Sequence, residues 1–313
     1  MMKLNKYIIA VVFLMYNGFF SMAQSIYPQA LIHPIDLPLR TEFCGERIDL
    51  RRWDLRERFD RELLAMNYMH SSSIQLIKKA NRIFPLIEPI LKANQVPDDF
   101  KYLACIESNL NSGALSPAGA AGIWQFMPET AREYGLQVDD QVDERYHLEK
   151  STVAACKYLK DAYRKFGNWS TAAAAYNGGI NRIANELEKQ GVDNALDLYL
   201  NEETSRYVFR IMAAKDFMEN PAKYGFIFSA EYLYMPLQYN YVSIHKSVGD
   251  WVEFAKEHGL TYLQFKEANP WLRGSRLNNP RGKIYNIAIP MESSQYFDVK
   301  NLYIHQKNWI RNK

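Results

Sequence analysis

Residues 97–108 read PDDFKYLACIES, and the spacing of their apolar side chains predicts a helix. Phe100, Leu103 and Ala104 share one helical face, because positions three, four and seven residues apart are neighbours on a helix. Glu107 falls on the same face, at a position where an apolar side chain is expected. The stretch therefore predicts a carboxylic acid that is half-buried in a helical core.

The role of Glu107 has two interpretations from this pattern alone. In the first, the carboxylate is a structural group held by an ion pair or by a helix end. In the second, an apolar environment disfavours the charged form, so the side chain stays protonated near neutral pH and acts as a general acid. The residues that follow the stretch are needed to choose between them.

The chain has 313 residues, of which 48% are hydrophobic, which is ample for one large or two modest domains with packed cores. This composition excludes a disordered protein. The formal net charge is +3, and two of the positive charges, Lys3 and Lys6, belong to a segment that we expect to be removed. The small remaining charge gives no sign of a nucleic-acid-binding surface.

The first 23 residues have the layout of a signal peptide. A basic start is followed by an apolar run over 7–15 and then by Ser21-Met22-Ala23, and we place cleavage after Ala23. An uncleaved membrane anchor is the alternative, but the apolar run is short for a spanning helix. The residue directly after the cleavage site is Gln24 and not a cysteine, so a lipoprotein is not indicated. We therefore expect an exported, periplasmic protein.

Turn signals and periodicity divide the rest of the chain. Three prolines at 28, 34 and 38 predict an irregular start, and helical spacing of apolar residues follows. Short aromatic and β-branched runs later flank a helical middle, which predicts strand, helices and strand. The predicted segments are an irregular leader (24–48), a helical domain (49–225), a small mixed domain (238–295) and a C-terminal tail (296–313).

Two helices near the middle of the chain have clear end signals. One is predicted from about Leu148 to Phe166, where Gly167 stops it. Ser170 is predicted to cap the next helix, which is rich in alanine. Both helices belong to the helical domain and follow Glu107 in the chain.

Two polar and aromatic patches follow Glu107, after a loop of small residues over 109–122. They are Trp124-Gln125 and Tyr176-Asn177. Aromatic faces beside amide side chains suit sugars, whose C–H faces stack on rings while hydroxyl and acetamide groups need fixed donors and acceptors. Each patch alone is also compatible with a structural role, with Trp124 in the core and Asn177 at a helix end.

The order of the motifs is far more specific than any one of them. Taken together, they resemble the successive motifs of the soluble lytic transglycosylase family, with its goose-type lysozyme-like fold, and Trp124 resembles the membrane-bound lytic murein transglycosylase D subgroup. The motifs are Glu107-Ser108, residues 116–120, residues 122–128, residues 175–179 and Glu203-Thr204 with Tyr207-Val208. The resemblance implies a mainly α protein, with a lysozyme-like catalytic domain followed by a small α+β module.

Residue roles follow from this resemblance, position by position. Glu107 takes the place of the catalytic general acid and base. The positions that correspond to substrate-binding residues are Ser108, Ser116, Gln125, Tyr176, Asn177, Glu203 and Tyr207. The family's companion hydroxyl, which bonds the acid or the reacting sugar, falls on Ser116. No metal and no organic cofactor are implied.

The implied reaction cleaves the β-1,4 bond between N-acetylmuramic acid and N-acetylglucosamine in peptidoglycan. Glu107 protonates the leaving oxygen and then takes the proton of the muramyl C6 hydroxyl, which closes a 1,6-anhydro ring. Residues 108–127 contain no Asp or Glu, whereas ordinary glycosidases need a second carboxylate. A hydrolytic muramidase and an inactive wall-binding scaffold are the alternatives.

The C-terminal segment resembles a degenerate LysM module, from Tyr241 to Pro290. Such modules bind glycan through loop backbone and a shallow groove, but Lys246-Ser247-Val248 departs from the usual pattern. A sugar-binding module and a structural cap therefore both stay open. The expected partners are peptidoglycan glycan strands and no nucleic acid, and peripheral association with the wall or outer membrane is also compatible.

The three cysteines are Cys44, Cys105 and Cys156, an odd number for an exported protein. One disulfide plus a free thiol is one interpretation. Cys105 and Cys156 lie among apolar residues of predicted helices, which favours buried reduced thiols.

Overall fold

The computed structural model describes residues 34–310. A helical domain comes first and a small mixed domain follows it, so the expected mainly α fold class is confirmed. The strands are β1 (Arg40–Phe43), β2 (Glu46–Asp49), β3 (Tyr239–Ile244) and β4 (Tyr285–Pro290). The helices are α1 (Trp53–Tyr68), α2 (His70–Ala93), α3 (Lys101–Ser108), α4 (Pro128–Glu133), α5 (Leu148–Phe166), α6 (Trp169–Gly178), α7 (Ile180–Gln190), α8 (Glu202–Glu219), α9 (Trp251–Glu257), α10 (Tyr262–Ala268) and α11 (Glu292–Gln295).

A β-hairpin occupies the end of the segment that was predicted to be irregular. Strands β1 and β2 pair antiparallel from Arg40↔Asp49 to Phe43↔Glu46, and Cys44 and Gly45 turn the chain with positive φ angles of 53° and 83°. The prediction of an irregular leader over 24–48 is therefore wrong for residues 40–48. Phe43 is fully buried, so the hairpin belongs to the core of the helical domain.

Helix α5 has the predicted bounds, whereas α6 begins before its predicted cap. The N-cap of α6 is Asn168, whose side chain accepts a hydrogen bond from the Thr171 amide at 2.8 Å. The Glu46 carboxylate accepts from the Trp169 and Ser170 amides, so a residue from the hairpin satisfies the other exposed donors. The prediction of Ser170 as the cap is wrong because Asn168 and Glu46 share that role.

Helix α3 lies at the centre of the helical domain and presents its acid at its C-terminal end. Phe100, just before it, and Tyr102, Leu103 and Ala104 within it are buried. The helix ends at Asn109, which has a left-handed backbone with φ 51°. Packing therefore buries most of α3 and leaves Glu107 half-buried at the edge of the core.

The mixed domain, which we call the C-terminal domain (residues 239–290), has the predicted order of strand, two helices and strand. Strands β3 and β4 pair antiparallel, from Tyr239↔Pro290 to Ile244↔Tyr285. Trp251 of α9 and Phe265 of α10 are fully buried, with stacked rings 5.2 Å apart. These two rings form the centre of a small core beneath the sheet.

The C-terminal domain shares its core with the helical domain. Ala121, Val142 and Tyr146 of the helical domain belong to the same buried cluster as Trp251 and Phe265. Hydrogen bonds also connect the two domains. The backbone and side-chain oxygens of Gln141, in the helical domain, accept from backbone amides of the C-terminal domain. They join Gln141 to the backbone amides of Arg273 (2.8 Å), Gly274 (3.4 Å) and Asn278 (2.6 Å).

The described part of the predicted C-terminal tail returns to the helical domain. Asn81, which is fully buried on α2, donates to the carbonyl oxygens of Tyr234 and Tyr303 and accepts from the His305 amide. Trp309 is 1% exposed and its indole donates to the Met218 carbonyl oxygen at 2.7 Å. Residues 303–309 are therefore a packed strap, and the description of 296–313 as a tail is wrong for them.

The remaining sequence predictions concern export and cysteines. The signal peptide over 1–23 and the first residues of the leader lie outside the described residues, so these expectations stay predictions. No helix within residues 34–310 is both long and apolar enough to cross a membrane. Cys44, Cys105 and Cys156 are all unpaired, and the last two are buried.

Candidate active site

Glu107 lies where α3 meets α8. Its carboxylate accepts a hydrogen bond from the hydroxyl of Tyr207, a residue 100 positions further along the chain. Tyr207 is 2% exposed, so this donor is fixed by the packing of α8 against α3. The pair therefore joins two of the motifs that the sequence analysis placed in one site.

Burial sets the protonation state of Glu107. Removal of the carboxylate from water raises its pKa from 4.5 to about 7, while the Tyr207 hydrogen bond and the Arg210 charge oppose this rise. The charge of Glu203 acts in the same direction as burial. A group with a pKa near 7 is well suited to give and recover a proton at neutral pH. The geometry thus favours the general-acid interpretation of Glu107.

Replacement of Tyr207 by phenylalanine is expected to change the pH dependence of activity. In the wild type, the hydrogen bond from Tyr207 lowers the pKa of Glu107. Its loss should therefore raise that pKa and move the alkaline limb of the pH–rate profile to higher pH. The maximal rate should fall about 10-fold, because the ionised form of Glu107 loses a donor. The measurement is the rate of glycan cleavage between pH 5 and 9.

Tyr158→Phe is the matched control for this variant. Its hydroxyl donates to the Ala175 carbonyl oxygen at 2.8 Å and has no contact with Glu107. An equal displacement of the pH profile in both variants would show that Tyr207 acts only through general packing.

Arg210 is a site residue that the sequence analysis missed. Its guanidinium donates to the Ile106 carbonyl oxygen at 3.2 Å, and its charge acts on Glu107. Glu203, Tyr207 and Arg210 are spaced by four and three residues, so they lie on one face of α8. This spacing was a signal that could have identified Arg210 once the two other residues were chosen.

The hydroxyl groups of Ser108 and Ser116 both form hydrogen bonds with backbone atoms. The Ser108 hydroxyl lies 3.2 Å from the Ala104 carbonyl oxygen and 3.0 Å from that of Ile123, so it links the end of α3 to the following loop. The Ser116 hydroxyl accepts from the Ala120 amide at 3.0 Å and closes a tight turn. Neither hydroxyl hydrogen-bonds Glu107 within residues 34–310, so the companion role of Ser116 toward the acid stays a prediction.

Gln125 lies in a strained loop that hydrogen bonds from a buried arginine hold in place. Its backbone has a φ of 50°, and its side-chain amide donates to the Gly122 carbonyl oxygen at 2.8 Å. Beneath the loop, the buried Arg145 donates to the carbonyl oxygens of Gly119 (2.7 Å) and Phe126 (3.0 Å). Its guanidinium is held by Asp143 at 2.7 Å. We call residues 116–126 the braced loop.

The brace continues into the C-terminal domain. The amide of Asp143 donates to the Trp271 carbonyl oxygen at 2.8 Å, and Val142 forms a β-bridge with Leu272. Displacement of residues 271–272 would therefore disturb Asp143, which positions Arg145 and through it the braced loop. The C-terminal domain thus contributes to the shape of the site without lying next to Glu107.

Tyr176 and Asn177, at the end of α6, connect the braced loop to Glu203 of α8. The Tyr176 hydroxyl donates to the Trp124 carbonyl oxygen at 2.8 Å, and burial together with the charge of Glu107 raises the pKa of Tyr176 well above its usual range. The Asn177 amide donates to Glu203 at 3.4 Å. The structure therefore brings Tyr176 and Glu203 into the electrostatic range of Glu107.

An open cavity of about 410 Å³ lies on the α8 side of this arrangement. It is lined by Glu202, Glu203, Arg206 and Arg210. Arg206 is paired with Glu62 at 2.7 Å, whereas Arg210 has no ion-pair partner within the described residues. Among residues 34–310, no group of three or more His, Cys, Asp or Glu side chains could hold a metal ion.

Comparison with known families agrees with this geometry. Residues 85–197 match the transglycosylase SLT domain, and this range includes Glu107, the braced loop and Asn177. This chain contains a transglycosylase SLT domain. Residues 240–293 match the soluble lytic transglycosylase C-terminal LysM-like domain, so the resemblance of both parts is confirmed. Glu203, Tyr207 and Arg210 lie beyond the SLT match, and the fold brings them back to it.

Parts of this sequence also match curated relatives. Membrane-bound lytic murein transglycosylase D of Escherichia coli K12 is 30% identical over 176 residues, which are 55% of this chain and 38% of that protein. Peptidoglycan transglycosylase gp16 of phage T7 is 37% identical over 103 residues, which are 32% of this chain and 8% of that protein. The chain thus matches well under half of each relative.

Solved structures include the 70 kDa soluble lytic transglycosylase SLT70 of E. coli, with 24% identity and a TM-score of 0.38. The match covers 43% of this chain and 24% of that structure.

Proposed function

We propose that this protein is a peptidoglycan lytic transglycosylase with Glu107 as its general acid and base. The observation that carries the proposal is the position of Glu107, at the edge of a packed core with a pKa raised to about 7. The SLT domain match and the names of the relatives support the same reaction. The substrate class is peptidoglycan glycan.

The reaction uses one proton twice. Protonated Glu107 gives its proton to the glycosidic oxygen as the bond from C1 of N-acetylmuramic acid breaks, which releases N-acetylglucosamine with a free hydroxyl. The resulting carboxylate accepts the proton of the muramyl C6 hydroxyl, whose oxygen bonds to C1 and forms the 1,6-anhydro ring. Tyr207 stabilises the carboxylate between these steps, because its hydroxyl donates to it. Glu107 ends protonated, and no water is consumed.

Glu203 supports a second candidate function, a hydrolytic muramidase. The stretch after Glu107 contains no acid, but the fold returns Glu203 to the neighbourhood of Glu107, where its charge raises the pKa of that group. A second carboxylate across the bond could activate a water molecule. Glu203 is exposed and accepts a hydrogen bond from the Asn177 side-chain amide.

Product analysis separates these functions. Digestion of purified peptidoglycan in ¹⁸O-labelled water, followed by mass spectrometry, is expected to give 1,6-anhydromuramyl ends without ¹⁸O. Reducing ends that contain ¹⁸O would instead identify a muramidase. Wall that is bound but intact would identify a scaffold and overturn both enzymatic proposals.

Export and wall association belong to the same proposal. The enzyme would act on peptidoglycan outside the cytoplasm, which fits the signal peptide expected over 1–23 and a periplasmic location. Peripheral association with the wall or outer membrane is compatible with this location.

A further inference from the structure

A second cavity lies between the helical domain and the C-terminal domain and has a volume of about 280 Å³. The start of α5 lines one side of it. The sheet and the preceding loop of the C-terminal domain line the other side. Its lining residues are His147, Glu149, Lys150, Tyr241, Trp271, Ile284 and Asn286, none of which lines the cavity beside Glu107.

The loops of the C-terminal domain are already occupied by other contacts. Val248 and Leu277 exchange backbone hydrogen bonds of 2.8 and 2.9 Å, and residues 273–278 bond to Gln141 of the helical domain. Backbone donors in these loops are therefore committed to packing. The cavity is on the sheet side, where polar groups are less engaged.

His147 supplies a neutral polar group to this cavity. Its ring lies against Trp271, with centroids 5.4 Å apart, and makes no hydrogen bond with any other described residue. Burial lowers the pKa of His147 to about 4, so the ring is neutral at pH 7 and offers one donor and one acceptor. An uncharged polar ligand fits such a group.

The other polar groups of the cavity offer both hydrogen-bond donors and acceptors to a ligand. Glu149 has no ion-pair partner within the described residues. The side-chain oxygen of Asn286 accepts from the Ser243 hydroxyl at 2.8 Å, which leaves the side-chain amide protons of Asn286 for a ligand. Lys150, by contrast, is bound to Glu144 at 2.5 Å. The cavity therefore contains both donors and acceptors, and its lysine is ion-paired.

Apolar surface completes the cavity. Tyr241 is 57% exposed and Ile284 is 66% exposed, so an aromatic ring and an aliphatic side chain border it. An aromatic face beside amide, carboxylate and imidazole groups matches a sugar ring, which has an apolar C–H face and polar edges. An anionic ligand is disfavoured because Glu149 faces the same space.

We propose that this interdomain cavity binds one N-acetylhexosamine ring of a glycan strand, at a site separate from the cavity beside Glu107 that Glu203 and Arg210 line, which we call the cleft. Its volume of about 280 Å³ is just below the usual range for ligand sites, about 300–1,000 Å³, so it fits one ring rather than a chain. Tyr241 stacks on the sugar face, while His147, Glu149 and Asn286 bond its hydroxyl and acetamide groups. The choice of ligand rests on the proposed function, because glycan strands supply this sugar repeatedly.

The test uses Glu107→Gln protein labelled with 5-fluorotryptophan and titrated with N,N′-diacetylchitobiose. Fluorine NMR follows Trp271 in the cavity and Trp124 in the SLT domain as separate resonances, assigned with Trp→Phe variants. We expect both resonances to shift. Tyr241→Ala should weaken the binding seen at Trp271 about tenfold and leave the Trp124 titration unchanged. Tyr262→Ala, which changes an exposed tyrosine of the same domain outside the cavity, should change neither.

The outcomes distinguish this proposal from the proposed function. A shift at Trp124 with none at Trp271 would overturn the interdomain site and keep the cleft. A shift at Trp271 alone would support the interdomain site and count against sugar binding in the cleft. Calorimetry of the same variants needs no assignment, and it should show one of two binding sites weakened by Tyr241→Ala only. Equal binding by the Tyr241→Ala and Tyr262→Ala variants would contradict the proposal.

Discussion

Glu107→Gln is expected to lower the rate of glycan cleavage by about 10²- to 10⁴-fold and to leave wall binding intact. Glutamine keeps the shape of the side chain and can still accept the Tyr207 hydrogen bond, but it has no proton to give. Turnover of purified peptidoglycan and sedimentation with it measure the two properties separately. Appreciable residual cleavage would contradict the assignment of Glu107 as the acid.

The same variant has an expected effect on stability with a definite sign. The pKa of Glu107 is about 7 in the folded protein and near 4.5 when the group is in water, so its stabilising contribution is complete below about pH 4.5 and is lost as pH rises through 7. Glutamine has no such loss. The melting temperature of Glu107→Gln minus that of the wild type should therefore be larger at pH 8 than at pH 4.

Glu188→Gln is the control for both measurements. Glu188 lies exposed on α7, without an ion-pair partner within the described residues. Its replacement should change neither the cleavage rate nor the pH dependence of the melting temperature. A similar pH effect in both variants would show that overall charge, rather than burial of Glu107, is responsible.

Gly122→Ala is expected to reduce the free energy of unfolding by at least about 3 kcal/mol and to impair cleavage. Gly122 has a φ of +75°, and an added Cβ would lie 2.0 Å from the carbonyl oxygen of Arg145. Backbone atoms cannot move aside as a flexible side chain would, so the braced loop has to shift. Gln125 would move with it, because its side chain donates to the Gly122 carbonyl oxygen.

Gly119→Ala is the control that separates the effect of backbone strain from the effect of the close contact with Arg145. Gly119 lies in the same loop with a φ of +90°, but an added Cβ would meet no atom within 4 Å. Only the left-handed backbone is then penalised, by about 1 to 2 kcal/mol. Chemical denaturation of both variants, with cleavage assays, gives the comparison. Equal losses would mean that the contact with Arg145 is unimportant.

The shared core changes how the C-terminal domain should be viewed. Its packing against Val142 and Tyr146, and the bond from Asp143 to the Trp271 carbonyl oxygen, connect it to the braced loop. Removal of this domain would expose that core, so it would alter the helical domain as well as any wall binding. The interpretation as a structural cap therefore has direct support from the packing, and sugar binding on its sheet side is compatible with that role.

The sequence by itself determined the local features of this protein. The period of the apolar residues placed Glu107 on the buried face of α3, and Gly167 ended α5 at the predicted residue. Both depend on side chains within about one or two helical turns, whose spacing is written directly in the chain. The same holds for the strand, helices and strand of the C-terminal domain.

Only the tertiary structure decided which distant groups surround those features. Tyr207 reaches Glu107 from 100 residues away, Glu46 caps a helix that begins at Trp169, and residues near Trp309 pack on the helical domain. No local pattern distinguishes a buried tyrosine that donates to a carboxylate from one that fills a core. The pKa of Glu107 is set by this packing, because burial and neighbouring charges are properties of the assembled fold.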